Sequence, residues 1–315
     1  MVPPCERSFP GMPQKAMILQ RDIPLQAPQR SRAIPSRDCR PLISIVTCSF
    51  QQGRYLEQTI RSVLDQDYPA LEYVIIDGGS TDRSKEIIRR YESALSYWVS
   101  ERDRGQTEAL VKGFQRSTGE ILGWLCSDDL LLPGALHAVA EFFSAHPDVM
   151  AAYGDALWID CDGRFLRPKK EMSFKRFVFL YDHNYVPQPS MFWRRSLYEA
   201  VSGLDPEFEL AMDADLWERF SAKTRIARIS RYLSCMRFYS EQKTRSRKED
   251  GRREIEIIRG RAYPRTMASP AGALLRIAAR FTRIATKALA GGYTASVPAE
   301  HLAWLEQQTS GDTCQ

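Results

Sequence analysis

The 315-residue sequence contains no stretch approaching the roughly 20 consecutive apolar residues that a membrane-spanning helix needs. Its opening, MVPPCERSFPGMPQKAMILQRDIP, lacks the apolar run of a secretory signal, so a soluble, cytoplasmic chain is expected. The seven cysteines (Cys5, Cys39, Cys48, Cys126, Cys161, Cys235 and Cys314) include no C-x-x-C pair and have no histidines at zinc-ligand spacing. That argues against a disulfide framework and against a structural zinc site. Cys48 and Cys126 fall in apolar, strand-like runs, where buried free thiols are expected. His137, His146, His183 and His301 are scattered, and neither a Ser-His-Asp nor a Cys-His arrangement is evident. His183, in LYDHNYVPQPS, reads first as a loop or surface residue. A Gly-rich phosphate loop is also missing, since TCSFQQGRY offers one Gly and one Arg.

What is present is unevenly charged. Residues 41–222 carry nine more acidic than basic groups, whereas 223–287 carry thirteen more basic than acidic ones. The acidic core argues against a nucleic-acid-binding surface there. The basic tail favours a polyanionic neighbour, with anionic lipid one candidate.

Residues 1–40, rich in Pro and Arg, read as a disordered arm. Order is expected from PLISIVTCSF (41–50), a β-branched run suited to a buried strand. Leu56, Ile60, Val63 and Leu64 then share a helical face that ends at Pro69. LEYVIID (71–77) reads as a second buried strand, and Ser80, Thr81 or Asp82 as the cap of a helix carrying Ile87, Ile88 and Tyr91. The alternation goes on through LSYWVSE, GQTEALVKGFQRSTG and EILGWLC to a helix starting near Pro133, with a strand and hairpin turning at Asp162-Gly163. Such alternation predicts an α/β fold with a mostly parallel sheet covered on both faces. Sheets of that kind bind ligands beyond the carboxyl ends of their strands. Asp77 ends one strand and Ser127-Asp128-Asp129 follow another, so both acidic features should open onto one edge.

Adjacent carboxylates raise each other's pKa and resist desolvation. A hard divalent cation with oxygen ligands offsets that cost. The competing reading is a helix cap ahead of LLLPGALHAV, and for an isolated S-D-D the cap is the commoner case.

PLISIVTCSFQQGRYLEQTIRSVLDQDYPALEYVIIDGGSTDRS, SERDRGQTEALVKGFQRSTGEILGWLCSDDLLLPGAL, YGDALWIDCDG, QPSMFWRRSLYEAVSGLD and AMDADLWERF together resemble a family 2 glycosyltransferase. The resemblance spans roughly residues 41–245. It implies a GT-A (Rossmann-like) domain over 41–245 and leaves 246–315 as a basic, largely helical extension. The implied activity is an inverting transfer of one sugar from a nucleoside-diphosphate sugar, with a UDP-sugar expected, to an acceptor hydroxyl in cell-surface polysaccharide or glycolipid assembly. The resemblance implies that Asp77 accepts the N3–H of a uracil-type base, that Phe50 stacks on that base, and that Asp128 binds ribose. It places Thr47 and Ser127 among the nucleotide-binding residues and makes Asp129 the ligand of a Mn²⁺ or Mg²⁺ ion. Lys112 reads equally as a donor neighbour and as a solvated helical lysine.

Inverting transfer needs a base. Asp213 matches the Asp of the family's Glu-Asp pair, with Met212 in place of the Glu. Asp215 lies about 200° away round a helix, so one of the two can enter the cleft while the other caps or pairs with Arg219; Asp213 is favoured as the base, with Asp215 the alternative. Tyr239 stands where many relatives have a metal-completing His, and the processive Q-x-x-R-W motif is absent, which favours a single transfer. A sugar nucleotidyltransferase and a non-catalytic nucleotide-sugar-binding homologue are the alternatives. Beyond residue 245, RKEDGRREIEIIRGRAYPR reads as a solvated charged helix. In AGALLRIAARFTRIATKALAGGY, Leu274, Ile277, Ala278, Phe281, Ile284, Ala285 and Leu289 form an apolar stripe, with Arg276, Arg280, Arg283 and Lys287 off it. Packing on its own domain or a subunit, or peripheral contact of 273–289 with an anionic membrane, both suit that pattern; the latter would favour a lipid-linked acceptor.

Overall fold

A computed structural model describes residues 40–263 and 269–310. The expected disordered arm lies outside the described residues except for Arg40. The first half alternates as expected: β1 (Ile43–Ser49), α1 (Leu56–Leu64), β2 (Leu71–Asp77), α2 (Ser84–Arg90), β3 (Tyr97–Ser100), α3 (Gln106–Arg116) and β4 (Ile121–Trp124). Next come β5 (Leu130–Leu131), α4 (Ala135–Ala145), β6 (Ala151–Ile159), β7 (Phe165–Lys169), α5 (Arg176–Tyr181), β8 (Met191–Arg194), α6 (Arg195–Ala200), α7 (Met212–Lys223) and β9 (Ile226–Arg237). Four helices follow among the described residues: α8 (Lys243–Ser246), α9 (Lys248–Ala262), α10 (Pro270–Leu289) and α11 (Ala299–Ser310).

The strands form one sheet in the order β3-β2-β1-β4-β8-β6-β9-β5, with β7 beside β6. The four strands β3-β2-β1-β4 run parallel, as right-handed crossovers through helices require. β8 joins antiparallel to both β4 and β6, and β6 pairs parallel with β9. Alternation along β1 sorts its side chains between the two faces. Val46 and Cys48 enter the core under α3 and α7, while Ile43 and Ile45 enter the core under α1 and α4. On the first face Trp124 stacks on Trp217 at 5.6 Å, and Trp193 meets both rings edge-on.

The C-terminal helices belong to the same compact unit as the sheet, which runs from Arg40 onward. Ile258 of α9 is buried in the larger core. Leu305 of α11 completes a small apolar cluster with Leu130, Leu132, Leu157, Ile159 and Cys235. α9 keeps a solvated face, as its charge suggests, and buries the opposite side at Ile258. One face of it docks against α7.

Candidate active site

The parallel strands end together, and the candidate residues stand just past those ends. Ser49 pairs in register with Asp77, and Val46 with Trp124. Phe50 projects with 59% of its surface exposed, so an apolar ring is held open at the edge of the sheet. Asp77 is fully buried. Its Oδ1 accepts the Ser80 hydroxyl at 2.6 Å, and its Oδ2 accepts the Ser80 N–H at 2.9 Å and the Ser100 hydroxyl at 2.7 Å. Asp103 lies beside it against Gly78, where an added Cβ would come within 2.8 Å of the Asp103 carboxylate. Burial raises the Asp103 pKa.

Thr47 requires a correction. It shares the strand face of Ile43 and Ile45, is fully buried, and pairs its hydroxyl with Tyr73 at 3.0 Å. Its side chain therefore points into the core and not at a ligand. Ser49, two residues on and only 4% exposed, has a hydroxyl without a hydrogen-bond partner among the described residues, and it stands at the strand end beside Asp77. The cap expected at 80–82 does not form as such: Arg83 holds the N-cap position of α2, and Asp82 just before it accepts the N–H of Ser84 at 3.0 Å and of Gly53 at 2.7 Å.

Ser127-Asp128-Asp129 do not cap a helix. β5 follows them directly and pairs with β9, and α4 starts only at Ala135, after Gly134 in the left-handed region. Ser127 is buried, and its carbonyl accepts the Thr59 hydroxyl, as does that of Asp129. Arg237, which the sequence reading passed over, organises this turn. It is 1% exposed, its backbone N–H donates to Asp129 Oδ1 at 2.9 Å, and its guanidinium donates to the Asp128, Asp160 and Cys161 carbonyls and to Gln58 Oε1. It also lies over the Tyr55 ring at 4.5 Å. Nothing in the local pattern LSCMRFYSEQ distinguishes this arginine from a solvated one. Its position one residue after a buried stretch of β9 is the only signal.

Burial and the neighbouring Asp128 charge push the Asp129 carboxyl well above the usual carboxylate range. Asp128 Oδ2 accepts the Tyr239 hydroxyl at 2.9 Å, and Tyr239 also receives the Gln52 amide at 3.4 Å. Burial drives the Tyr239 phenol pKa far up, so it stays a donor to Asp128 and is no metal ligand. Ligand atoms of Cys126, Asp128 and Asp129 lie within 4.8 Å of one another. The Cys126 thiol is held neutral by the adjacent Cys48 thiol and by burial, which leaves the two carboxylates as the donors fit for a hard cation. Such a cation would offset the burial and the repulsion from Asp128 that raise the Asp129 pKa.

The other acidic feature lies on α7. Asp215 pairs with Arg219, whose Nη2 is 2.5 Å from Oδ2, so its carboxylate is engaged away from the cleft. Asp213 is partly buried. It accepts the Asn184 amide at 2.8 Å and the N–H of Ala214, and burial lifts its carboxyl to about 6. It lines a cavity of about 650 Å³ together with His183, Asn184, Thr244, Lys248 and Arg252. His183 is an exposed loop residue at the rim, 3.2 Å from Asp182. The first turn of α3 ties this cavity to the sheet edge. Gln106 donates to Cys126 Sγ at 3.3 Å, and Thr107 contacts Met212 Sδ at 3.3 Å, one residue from Asp213. Lys112, further along α3, is ion-paired with Glu101 at 2.6 Å.

The segment before α7 is held by α9. Glu254 accepts the N–H groups of Glu209, Leu210 and Ala211 at 3.1, 2.8 and 2.7 Å. Asn184 and Glu254 are both residues that the sequence reading did not single out, because each acts across a long separation.

Comparison with known proteins places this geometry in context. The profile described as glycosyl transferase family 2 matches residues 44–201. A Bacillus subtilis glycosyltransferase named for teichuronic acid biosynthesis, TuaG, is 34% identical over 106 residues, covering 33% of this chain and 42% of that one. Residues 1–349 of TarS from S. aureus, solved with UDP-GlcNAc, superimpose with a TM-score of 0.56 at 16% identity, covering 78% of this chain and 81% of that 1–349 portion. A mannosyltransferase from Pyrobaculum calidifontis, solved with GDP-Man and Mn²⁺, gives a TM-score of 0.52 at 19% identity, covering 86% and 85%. At these identities the two structures establish a shared fold, the GT-A arrangement expected from the sequence.

Proposed function

The chain belongs to glycosyl transferase family 2, and from that premise we propose that it moves one sugar from a nucleoside-diphosphate sugar to an acceptor hydroxyl, with inversion at the anomeric carbon. The observation that carries this reading is the meeting of Phe50, Asp77, Asp128 and Asp129 at one sheet edge, with Asp213 in the cavity that α3 ties to that edge. Phe50 stacks on the base. Ser80 and Ser100 fill three of the roughly four lone-pair sites of the buried Asp77, and the N3–H of uracil takes the remaining one as the Ser80 turn gives way. Ser127 and Asp128 border the ribose.

Asp129, with Asp128 beside it, is the candidate ligand for Mn²⁺ or Mg²⁺, which when bound neutralises charge on the leaving diphosphate. Arg237 keeps the turn rigid by donating to Asp128 and Asp129 at once. Asp213 accepts the proton of the acceptor hydroxyl as that oxygen bonds to the anomeric carbon. The bond from this carbon to the diphosphate oxygen breaks, and the nucleoside diphosphate leaves with the electron pair. A carboxyl near 6 is ionised yet still basic close to neutrality, as this step requires. The TarS complex supports a UDP donor, and the teichuronic acid relative supports a role in building a cell-surface polysaccharide or glycolipid.

The test is release of nucleoside diphosphate and transfer of sugar by the full chain, supplied in turn with UDP- and GDP-sugars, with and without Mn²⁺ or Mg²⁺. Metal-stimulated turnover with a UDP-sugar is expected, with loss in Asp129→Ala and loss of transfer in Asp213→Asn. Full turnover in either folded variant removes that residue from the mechanism.

A further inference from the structure

α10 packs on the domain with the wrong side for an ordinary amphipathic helix. Its inward face is made of small and polar groups: Gly272 and Ala279 are buried, Arg283 donates to Asp182, and Lys287 reaches Glu171 at 2.7 Å. Of its large apolar residues only Leu275 turns toward the core. The stripe recognised in the sequence faces outward instead. Leu274, Ile277, Phe281, Ile284 and Leu289 are 69, 55, 67, 41 and 88% exposed, with Ala278, Ala285 and Ala288 exposed between them. The stripe runs the whole length of α10 without a charge in it. Isolated exposed apolar residues are ordinary, but a continuous patch of this length marks a surface that is covered in use.

We propose that α10 lies in the plane of an anionic phospholipid bilayer and docks the enzyme on it. Charge decides between this and other occupants. α10 holds no acidic residue, and Arg276 and Arg280 border the stripe, exposed and without an ion-pair partner among the described residues. Pairing with a second copy about a two-fold axis would bring like charges together with no acid of α10 between them. An anionic lipid surface takes the stripe into its acyl boundary and the two guanidinium groups at its headgroups. No described helix is long and apolar enough to cross a membrane, so the contact is lateral. The Arg283–Asp182 pair fixes α10 to the segment that also lines the Asp213 cavity, so docking holds that cavity close to the lipid surface. The docking surface goes beyond the transfer reaction and stands whether or not that chemistry is correct.

Flotation of the full chain with vesicles of phosphatidylcholine alone, or of phosphatidylcholine mixed with phosphatidylglycerol, tests this without any nucleotide sugar. The wild type should float with the anionic vesicles and weaken as salt is raised. Arg276→Gln with Arg280→Gln should cut that binding by about tenfold or more, each basic group contributing roughly fivefold. Ile277→Ser with Phe281→Ser should abolish it, and both variants should keep the wild-type melting temperature because these side chains are exposed. Failure of the wild type to bind anionic vesicles overturns the proposal, as does binding that survives both double variants. A wild-type dimer that Phe281→Ser dissociates, seen by light scattering in the absence of vesicle binding, assigns the stripe to a second copy instead. Asp129→Ala should still float, which separates failure of docking from failure of the transfer reading.

Discussion

The burial that suits Asp213 to the proposed role of base costs stability. Burial lifts its carboxyl to about 6 from an ordinary 3.8, while the Asn184 amide favours the ionised form. If it is the base, kcat/KM falls on the acid side with a midpoint near 6, and Asn184→Ala, which removes that donor, moves the limb to higher pH; a pH–rate profile of both proteins checks this. Stability runs the other way. Between 3.8 and about 6 the folded protein keeps a proton that the unfolded chain has lost, so this group's contribution declines as pH rises through that window. Asp213→Asn should therefore melt higher than wild type at neutral pH and alongside it below the ordinary carboxylate value, while transfer drops by about 10²–10⁴-fold. Arg237 has the opposite character, since its buried guanidinium donates to four oxygens of partly buried residues. Arg237→Met strands those acceptors and should cost about 3 kcal/mol, read as a lower denaturation midpoint, with weaker donor binding in the fraction that folds.

At the scale of elements, α9 shows how a charged pattern can hide a structural duty. The segment it occupies reads as a solvated helix because charged residues surround it on most sides, yet Glu254 gathers three N–H groups just ahead of α7 and Ile258 enters the core. Its partners lie 43 to 45 residues away, outside any window in which periodicity is measured. Glu254→Ala should cost about 1–3 kcal/mol by leaving those donors unpaired. It should also lower kcat more than it raises the KM for the donor, because it loosens Asp213 and not the sheet edge. Glu254→Gln keeps one accepting oxygen and should recover part of both losses. Steady-state kinetics beside thermal melts distinguish these outcomes. The parallel strands β1, β2 and β4 were legible for the converse reason: each is a short β-branched or apolar run, and burial on both faces leaves no ambiguity of period.

For the whole molecule, the two faces of the sheet carry separate cores, and the tryptophan group of Trp124, Trp193 and Trp217 holds α7 against β4 on one of them. Trp217 is fully buried. Trp217→Ala should cost about 3–5 kcal/mol, visible as a lower melting temperature, and should weaken transfer more than nucleotide binding because α7 carries Asp213 while β1 and β2 carry Phe50 and Asp77. The sequence by itself determined the α/β alternation, the strand ends on which Asp77 and Asp128-Asp129 stand, the divergence of Asp213 and Asp215 round one helix, and the apolar stripe of α10. These follow from local hydropathy period and from the geometry of a helix turn, which a single stretch of chain contains. Only the tertiary structure decided that Thr47 faces the core, that Arg237 pins Asp129 across 108 positions, that α9 holds the approach to Asp213, and that the α10 stripe faces out. Those outcomes depend on which face of an element meets which neighbour, and that choice is made by the competition of all buried surfaces at once.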